Sequence, residues 1–432
     1  MSERGIGFKT LQNVVFVIIG RSLGFFIPFI IAAIYGTDHR TDAFFFAFTL
    51  ILMWMMTLGS VLETVIVPYA AQMRTERRNI RQFTTQVILR TFLGFSVFSV
   101  LLILCLKPLL KITTQFSGET IELIFTLSLE LLPVLFFSIA TDTLNGVLNA
   151  NRLFKVSALS PAIRSFFVIG GIIILKPVMG IHGIALAYAA GEVIRFAFSA
   201  LFYGRVVPRE INPPAPGIFG SFFKYAFFQA GALFLMNGIS LVDHSMASWF
   251  GPGSVTLYTY AERMRNVLFL IFAAGAGPVV LSEWARTASE NSSDISWAKV
   301  LRTFQIFFIC ALGLALALAA ARYPLAHLVV GHGQFPAKDI WPVANLFGIL
   351  VLGVPFQIAH MLAARLLVIF KKNFFYMILG GAMIFLNIGL NFLFMKFLKL
   401  QGIAISTSVL EFVFSVMLFL KVKGVIFRRA KA

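Results

Sequence analysis

The chain has 432 residues, of which 59% are hydrophobic and 12% charged, whereas a soluble globular domain is ~45–50% apolar and ~25% charged. That balance excludes a soluble enzyme and specifies an all-α polytopic membrane protein, since a membrane β-barrel would read as alternating segments of about 10 residues. The formal charge of +18 fits cytoplasmic loops that collect lysine and arginine better than it fits a nucleic-acid binder, so no nucleic-acid partner is expected.

Twelve apolar spans are placed in chain order, near residues 10–35, 43–68, 85–106, 120–142, 159–175, 182–203, 219–248, 256–281, 300–320, 341–369, 375–395 and 403–420. A run of ~20 residues at about 1.5 Å each suffices to cross a bilayer. No small-residue cleavage pattern follows the first run, so no cleavable signal peptide is expected. Halfway along that run stands Arg21. A guanidinium at such depth costs ~2.5 kcal/mol or considerably more, which directs it to a protein interior or a watery cavity.

The second span carries Glu63 five residues before Pro68, where it either pairs with Arg21 or reaches the interface. The two cysteines, Cys105 and Cys310, lie in the third and ninth spans, fit no metal spacing and read as small buried hydrophobes. Span four brings Glu130 and Asp142, and span seven brings Asp243 and His244, as candidate proton or cation sites. Arg164 is deep in span five. Arg195, in span six, follows Glu192 by three residues on one helical face and reads as a structural pair.

The eighth span contains Tyr258-Thr-Tyr-Ala-Glu-Arg-Met-Arg265. Adjacent helical residues diverge by ~100°, so Glu262 and Arg263 do not simply neutralise each other. Arg263 is read either as a functional cation or as half of an inter-helix pair. Arg365 is deep in span ten. Asn387 and Asn391 share a face of span eleven and read as inter-helix glue. Glu411 in span twelve has no cation nearby in sequence and needs a partner on another helix or a proton. Arg90, Lys224 and Arg302 are near enough to span ends to snorkel.

The chain repeats itself. Gly183-Ile-Ala-Leu-Ala is followed at nine residues from its glycine by Glu192, and Gly402-Ile-Ala-Ile-Ser by Glu411 at the same interval. Ile-Tyr-Gly36 answers Trp-Phe-Gly251 at the end of each half's first span. Six spans per half make the repeats parallel: two six-helix lobes around a central cavity, 1–207 and 219–432, joined by the proline-rich linker 208–218. With an even span count and the N-terminus inside, the cytoplasmic segments carry 19 basic residues against 8 outside, so both termini are expected in the cytoplasm. No nucleotide loop, metal spacing or catalytic constellation is present. No cofactor and no enzymatic activity are expected.

Several motifs together resemble the MviN/MurJ-like lipid II flippases of the multidrug/oligosaccharidyl-lipid/polysaccharide exporter superfamily. They are Arg21-Ser-Leu-Gly-Phe25, Tyr35-Gly36, Thr41-Asp-Ala-Phe-Phe45, Val67-Pro68, Gly146-Val-Leu-Asn-Ala-Asn-Arg-Leu-Phe154 with Pro161, Tyr260-Ala-Glu-Arg263, Gly331-His-Gly-Gln-Phe335 and Leu400-Gln-Gly-Ile-Ala404. The resemblance implies two lobes that alternate between inward- and outward-open states and move an undecaprenyl-diphosphate-linked sugar across the bacterial inner membrane. It puts Arg21, Asp42 and Arg263 at positions the family uses for substrate, and Glu262 where the family has an aspartate. Glu63, Arg164, Arg365 and Glu411 are expected as coupling or cavity residues.

The departures are specific. Ile27-Pro28 occupies the place of the family's second early arginine, and Leu52-Met-Trp-Met-Met56 that of an arginine pair in span two. Leu58-Gly-Ser60 stands for an acidic motif, and twelve spans are present where the family usually has two more. Expected partners are the lipid-linked glycan, membrane lipids and cell-wall synthesis proteins. Two rival functions remain: a small-molecule/cation antiporter of the multidrug-extrusion type, which would centre on cavity carboxylates, and a non-transporting cell-envelope scaffold.

Overall fold

The computed structural model describes residues 23–275, Trp284, 297–370 and 372–431. Among the described residues thirteen α-helices run in order: α1 (Leu23–Tyr35), α2 (His39–Thr75), α3 (Ile80–Thr113), α4 (Gly118–Ala150), α5 (Phe154–Met179), α6 (His182–Val206), α7 (Ile218–Ala247), α8 (Ser254–Gly275), α9 (Trp297–Ala320), α10 (Arg322–Val330), α11 (Ala337–Ile369), α12 (Asn373–Leu398) and α13 (Leu400–Lys431). Among the described residues the only strand-like contact is an isolated bridge between Arg78 and Asn212. Each expected span has a helix among the described residues, with 10–22 of the first span and 276–281 of the eighth lying outside them, and the short α10 is additional. Ten of the helices are long and apolar enough to cross a membrane. α8 is not among them, because Glu262, Arg263 and Arg265 interrupt it.

Local chemistry sets the helix ends. Asp38 caps α2, its carboxylate accepting from the backbone of Arg40 and Thr41 while Thr41 Oγ1 accepts from the Asp38 N–H at 2.8 Å, a capping box. The side chains of Asn79 and Ser117 cap α3 and α4 by accepting from the backbone N–H of Gln82 and Thr120. Gly36 and Gly251, the repeated glycines, both have positive φ (66° and 92°) and stop the first helix of each half.

Packing divides the chain into two compact units. The first comprises residues 23–30 and Asp38–Leu241 of those described, the second Ile31–Thr37 and Val242–Ala432. In the first unit α2 packs on α4, α4 on α3 and α6, and α5 on α6. In the second unit α8 packs on α11, α11 on α9 and α13, and α12 on α13. The same scheme has been used twice, as the sequence repeat requires. Gly183 and Gly402 serve this scheme directly: a Cβ at either would stand 3.0 Å from Leu175 or 2.5 Å from Phe394 on the preceding helix.

Burial sorts inner from outer helices. In its most apolar window α2 is 67% buried and α3 only 17%, with Leu93, Val97, Leu101 and Leu104 of α3 exposed. An apolar outer face of this kind suits a hydrocarbon solvent. Cys105 and Cys310 lie on these outer faces and are exposed. The expectation of buried cysteines is therefore corrected: their apolar surroundings in sequence reflect the bilayer side of α3 and α9, not the core.

Candidate functional site

In the first unit three helices converge on a polar interior. α4 presents Asp142, Asn145 and Asn149 at three- and four-residue spacing, and so on one face. α5 presents Ser157, Ser160 and Arg164, and α6 presents Glu192, Arg195 and Ser199. Arg195 Nη1 donates to Glu192 Oε1 at 2.6 Å and Nη2 to Asp142 Oδ1 at 2.5 Å. The Glu192 side chain is completely buried and also meets Arg164 Nη1 at 3.4 Å. Two guanidiniums and two carboxylates thus form a neutral quartet, the arrangement that makes buried charge tolerable.

Neutral groups hold the quartet. Arg195 Nε donates to Ser160 Oγ at 3.3 Å, and Asn145 joins Ser160 to Ser199. Gly59 of α2 is needed here, because a Cβ would lie 2.2 Å from Asp142 Oδ2. Beside the quartet, Asn149 Nδ2 donates to Glu63 Oε1 at 2.9 Å and Ser157 Oγ to Asn149 Oδ1 at 2.5 Å. These side chains line a cavity of about 550 Å³ whose α2 wall is Leu52, Met55, Met56 and Ser60.

The second unit holds two polar clusters. Asp243 of α7 is buried and accepts four hydrogen bonds. Asn387 and Asn391 donate to Oδ1 at 3.1 and 2.9 Å, and Tyr258 and Thr407 to Oδ2 at 3.0 Å each. Four helices are tied together at this carboxylate. The neighbouring His244 Nε2 lies 2.9 Å from Thr259 Oγ1. In the other cluster His360 Nδ1 lies 3.2 Å from Glu411 Oε2, and Nε2 3.1 Å from the Tyr376 hydroxyl.

The expected residues fall as follows. Arg21 lies outside the described residues. Asp42 is buried in the first turn of α2. Glu262 and Arg263 are half-buried on α8, and the Arg263 Nε is buried with no hydrogen-bond partner among the described residues. Arg365 is half-buried on α11. Arg195 pairs with Glu192 as the three-residue spacing requires, Glu192 also meeting Arg164 and Arg195 also meeting Asp142. Glu63 engages Asn149, and Glu130 lies 2.8 Å from His182 Nδ1. Asn387 and Asn391 bind Asp243, so the amides read as glue and the carboxylate read as a site are one cluster.

His360, Tyr376 and Thr407 were not legible from the sequence reading. A signal for His360 existed, because it stands 218 residues after Asp142, within the offset of the repeat. His360 pairs with Glu411, and Asp142 shares Arg195 with Glu192, the two glutamates that follow the repeated Gly-Ile-Ala motif. Among the described residues no cluster of three or more histidine, cysteine or carboxylate side chains is placed to hold a metal. The polar groups are suited to binding and to carrying charge within a membrane.

A doubled six-helix scheme with polar clusters buried inside apolar helices defines a membrane transporter of the flippase and multidrug-exporter fold. Residues 31–429 match the family model described as lipid II flippase MurJ, and the chain belongs to that family. It is 23% identical to the lipid II flippase MurJ of Burkholderia cenocepacia over 375 residues, 80% of this chain and 71% of the relative. It is 23% identical to the probable lipid II flippase MurJ of Thermotoga maritima over 96% of this chain and 85% of the relative. Its fold is similar to a solved lipid II flippase MurJ in an inward closed conformation, with TM-score 0.81, 22% identity, and 96% and 87% of the two chains covered. An inward-facing multidrug resistance MATE family transporter of the MOP superfamily matches with TM-score 0.81 at 15% identity, over 98% and 99%.

Proposed function

We propose that this protein is a flippase that moves an undecaprenyl-diphosphate-linked cell-wall precursor of the lipid II kind across the bacterial inner membrane by alternating access. The observation that carries the reading is the family match over residues 31–429. The antiporter alternative rests only on a shared fold at 15% identity, and the curated relatives are flippases. The bodies proposed to move are the repeat halves 1–207 and 219–432, with 208–218 as their linker. Both termini are proposed to be cytoplasmic, supported by the 19-to-8 basic asymmetry.

The diphosphate is held in this proposal by Arg21 and Arg263, with Asp42 and Glu262 orienting them. A guanidinium fork matches phosphate oxygens bidentately and keeps its charge, and the unpartnered Arg263 Nε leaves donor capacity for a ligand. The bias comes from a cation or from the membrane potential, which supplies ~2.3 kcal/mol per unit charge per 100 mV.

The test is transport in vesicles containing the purified protein. Lipid II is expected to cross and a cationic dye is not. Dye transport without lipid II transport overturns the proposal. Arg21→Ala and Arg263→Ala are expected to be coupled in headgroup affinity by ~0.5–3 kcal/mol, and strict additivity removes the shared diphosphate.

A further inference from the structure

We infer that His360 and Glu411 form a proton-binding site in the second unit, and that one proton bound there is exchanged for each lipid-linked glycan flipped outward. The exchange rests on the flippase reading and deepens it by naming the coupling cation.

The sequence repeat lays this pair over the charge quartet of the first unit. α5 and α12 are each 26 residues long and start 219 residues apart, at Phe154 and Asn373. At an offset of 218 Asp142 answers to His360, and at 219 Glu192 answers to Glu411 and Ser157 to Tyr376. Both guanidiniums are lost, because Arg164 answers to Met383 and Arg195 to Phe414. The first unit thus balances its acids with cations that keep their charge. The second has an imidazole in their place, a group that ionises between about pH 5 and 8.

The geometry gives the proton a place to bind. His360 Nδ1 lies 3.2 Å from Glu411 Oε2, and Nε2 3.1 Å from the Tyr376 hydroxyl. With the imidazole neutral, Nδ1–H donates to the carboxylate, the Tyr376 hydroxyl donates to Nε2, and the cluster carries one negative charge. A proton added at Nε2 reverses the second bond: Nε2–H now donates to the Tyr376 oxygen, whose own hydrogen turns away, and the cluster is neutral. Unbalanced charge within a membrane is costly, so the cluster draws the proton in. The Phe414 ring, 4.2 Å from the imidazole between centroids, offers the imidazolium an aromatic surface. The His360 and Glu411 side chains keep 12% and 17% exposure, through which a proton reaches them, whereas Glu192 has 0%.

Tyr376 from α12 and Glu411 from α13 are the titratable groups that meet His360. Arg365 is five residues further along α11, about 140° round the helix. α9 meets this part of α11 through Phe308 on Phe356. α8 carries Glu262, Arg263 and Arg265, and among the described residues none of them bonds to the pair.

The experiment uses the full chain in sodium-free proteoliposomes, with symmetrical potassium and valinomycin holding the membrane potential at zero. A pH difference of about one unit is imposed, and trace lipid II is measured in each leaflet. One proton exchanged per lipid makes that difference worth at most about a tenfold excess in the acidic leaflet. Solid-state NMR of isotope-labelled histidine follows imidazole and imidazolium signals over about pH 5 to 8. Tyr376→Phe deletes only the hydroxyl at Nε2 and identifies the His360 signal by the shift it causes. Wild type is expected to collect lipid II on the acidic side, and His360 to gain a proton in this range. His360→Gln and Glu411→Gln are expected to lose the accumulation, and Glu411→Gln also the proton uptake at His360.

Lipid II that equilibrates between leaflets regardless of the pH difference, accumulation that survives either glutamine variant, or a His360 signal that does not titrate overturns the inference. Should a glutamine variant fail to fold, the wild-type accumulation and the His360 titration decide, and the absence of either overturns it. A His360 that gains its proton in a protein that moves no lipid II overturns the flippase reading and leaves the proton site standing.

Discussion

Arg195 is the keystone of the first unit's charge quartet, and replacing it with methionine tests whether the quartet is structural. The substitution keeps the length of the side chain and deletes contacts of 2.6 Å to Glu192 and 2.5 Å to Asp142. Glu192, with 0% side-chain exposure, is left with Arg164 at 3.4 Å as its only ion pair among the described residues. Removing one partner of a buried pair costs ~3–5 kcal/mol, because the orphaned charge stays desolvated. Asp142 loses its ion pair and Glu192 keeps only the longer one, so a loss of about 4 kcal/mol is expected. Adding Glu192→Gln removes one negative charge and leaves Arg164 facing Asp142 alone, one cation to one anion. That second change is expected to restore about 2 kcal/mol. The assay is reversible unfolding in mixed micelles by SDS titration, followed by tryptophan fluorescence, for wild type, both single variants and the double. A cost below about 1 kcal/mol for Arg195→Met, or a double variant as unstable as the sum of the singles, refutes the reasoning.

Gly333 has φ +66° and a Cβ there would lie 2.1 Å from the Ala33 carbonyl oxygen, so Gly333→Ala is expected to lower the free energy of unfolding by at least the ~1–3 kcal/mol of a strained backbone. Gly313→Ala, at a helical glycine with nothing within 4 Å, is expected to raise it by ~0.5–1 kcal/mol in the same scan. Asp243→Ala orphans four donors and is expected to cost ~3 kcal/mol or more, whereas Asn387→Leu removes one donor and is expected to cost ~0.6 kcal/mol; SDS titration measures both. A reporter enzyme active only in the periplasm, fused after Ala432, is expected to stay silent in cells; strong activity there reverses the orientation.

Much of this fold was readable because hydrocarbon is a demanding solvent. Every backbone group must be satisfied within its own helix, so long apolar runs such as Ile80–Thr113 announce themselves. Pairing by local spacing was readable too, as with Glu192 and Arg195. Partners brought together by tertiary packing were not. Asn149 reaches Glu63 across 86 residues, and Asn391 reaches Asp243 across 148. The failure with Cys105 and Cys310 has another cause: apolar composition marks both the core and the lipid face, and only packing tells them apart. α8 was expected as a span despite its three charges, and it is a helix whose composition alone does not mark it as membrane-crossing.

The end of α1 packs with residues that are made long after it. Residues 31–37 belong to the second unit, where Gln334 N–H donates to the Ala33 carbonyl at 2.8 Å and the Thr37 hydroxyl donates to Asp339. About 300 residues separate these partners in the chain. At ~5–20 residues per second of synthesis, the Tyr35-Gly36 corner waits roughly 15–60 s after it leaves the ribosome before its contacts exist. The Tyr35-Gly36 corner, made early, is thus among the last to be locked, and insertion of α1 cannot by itself commit the fold.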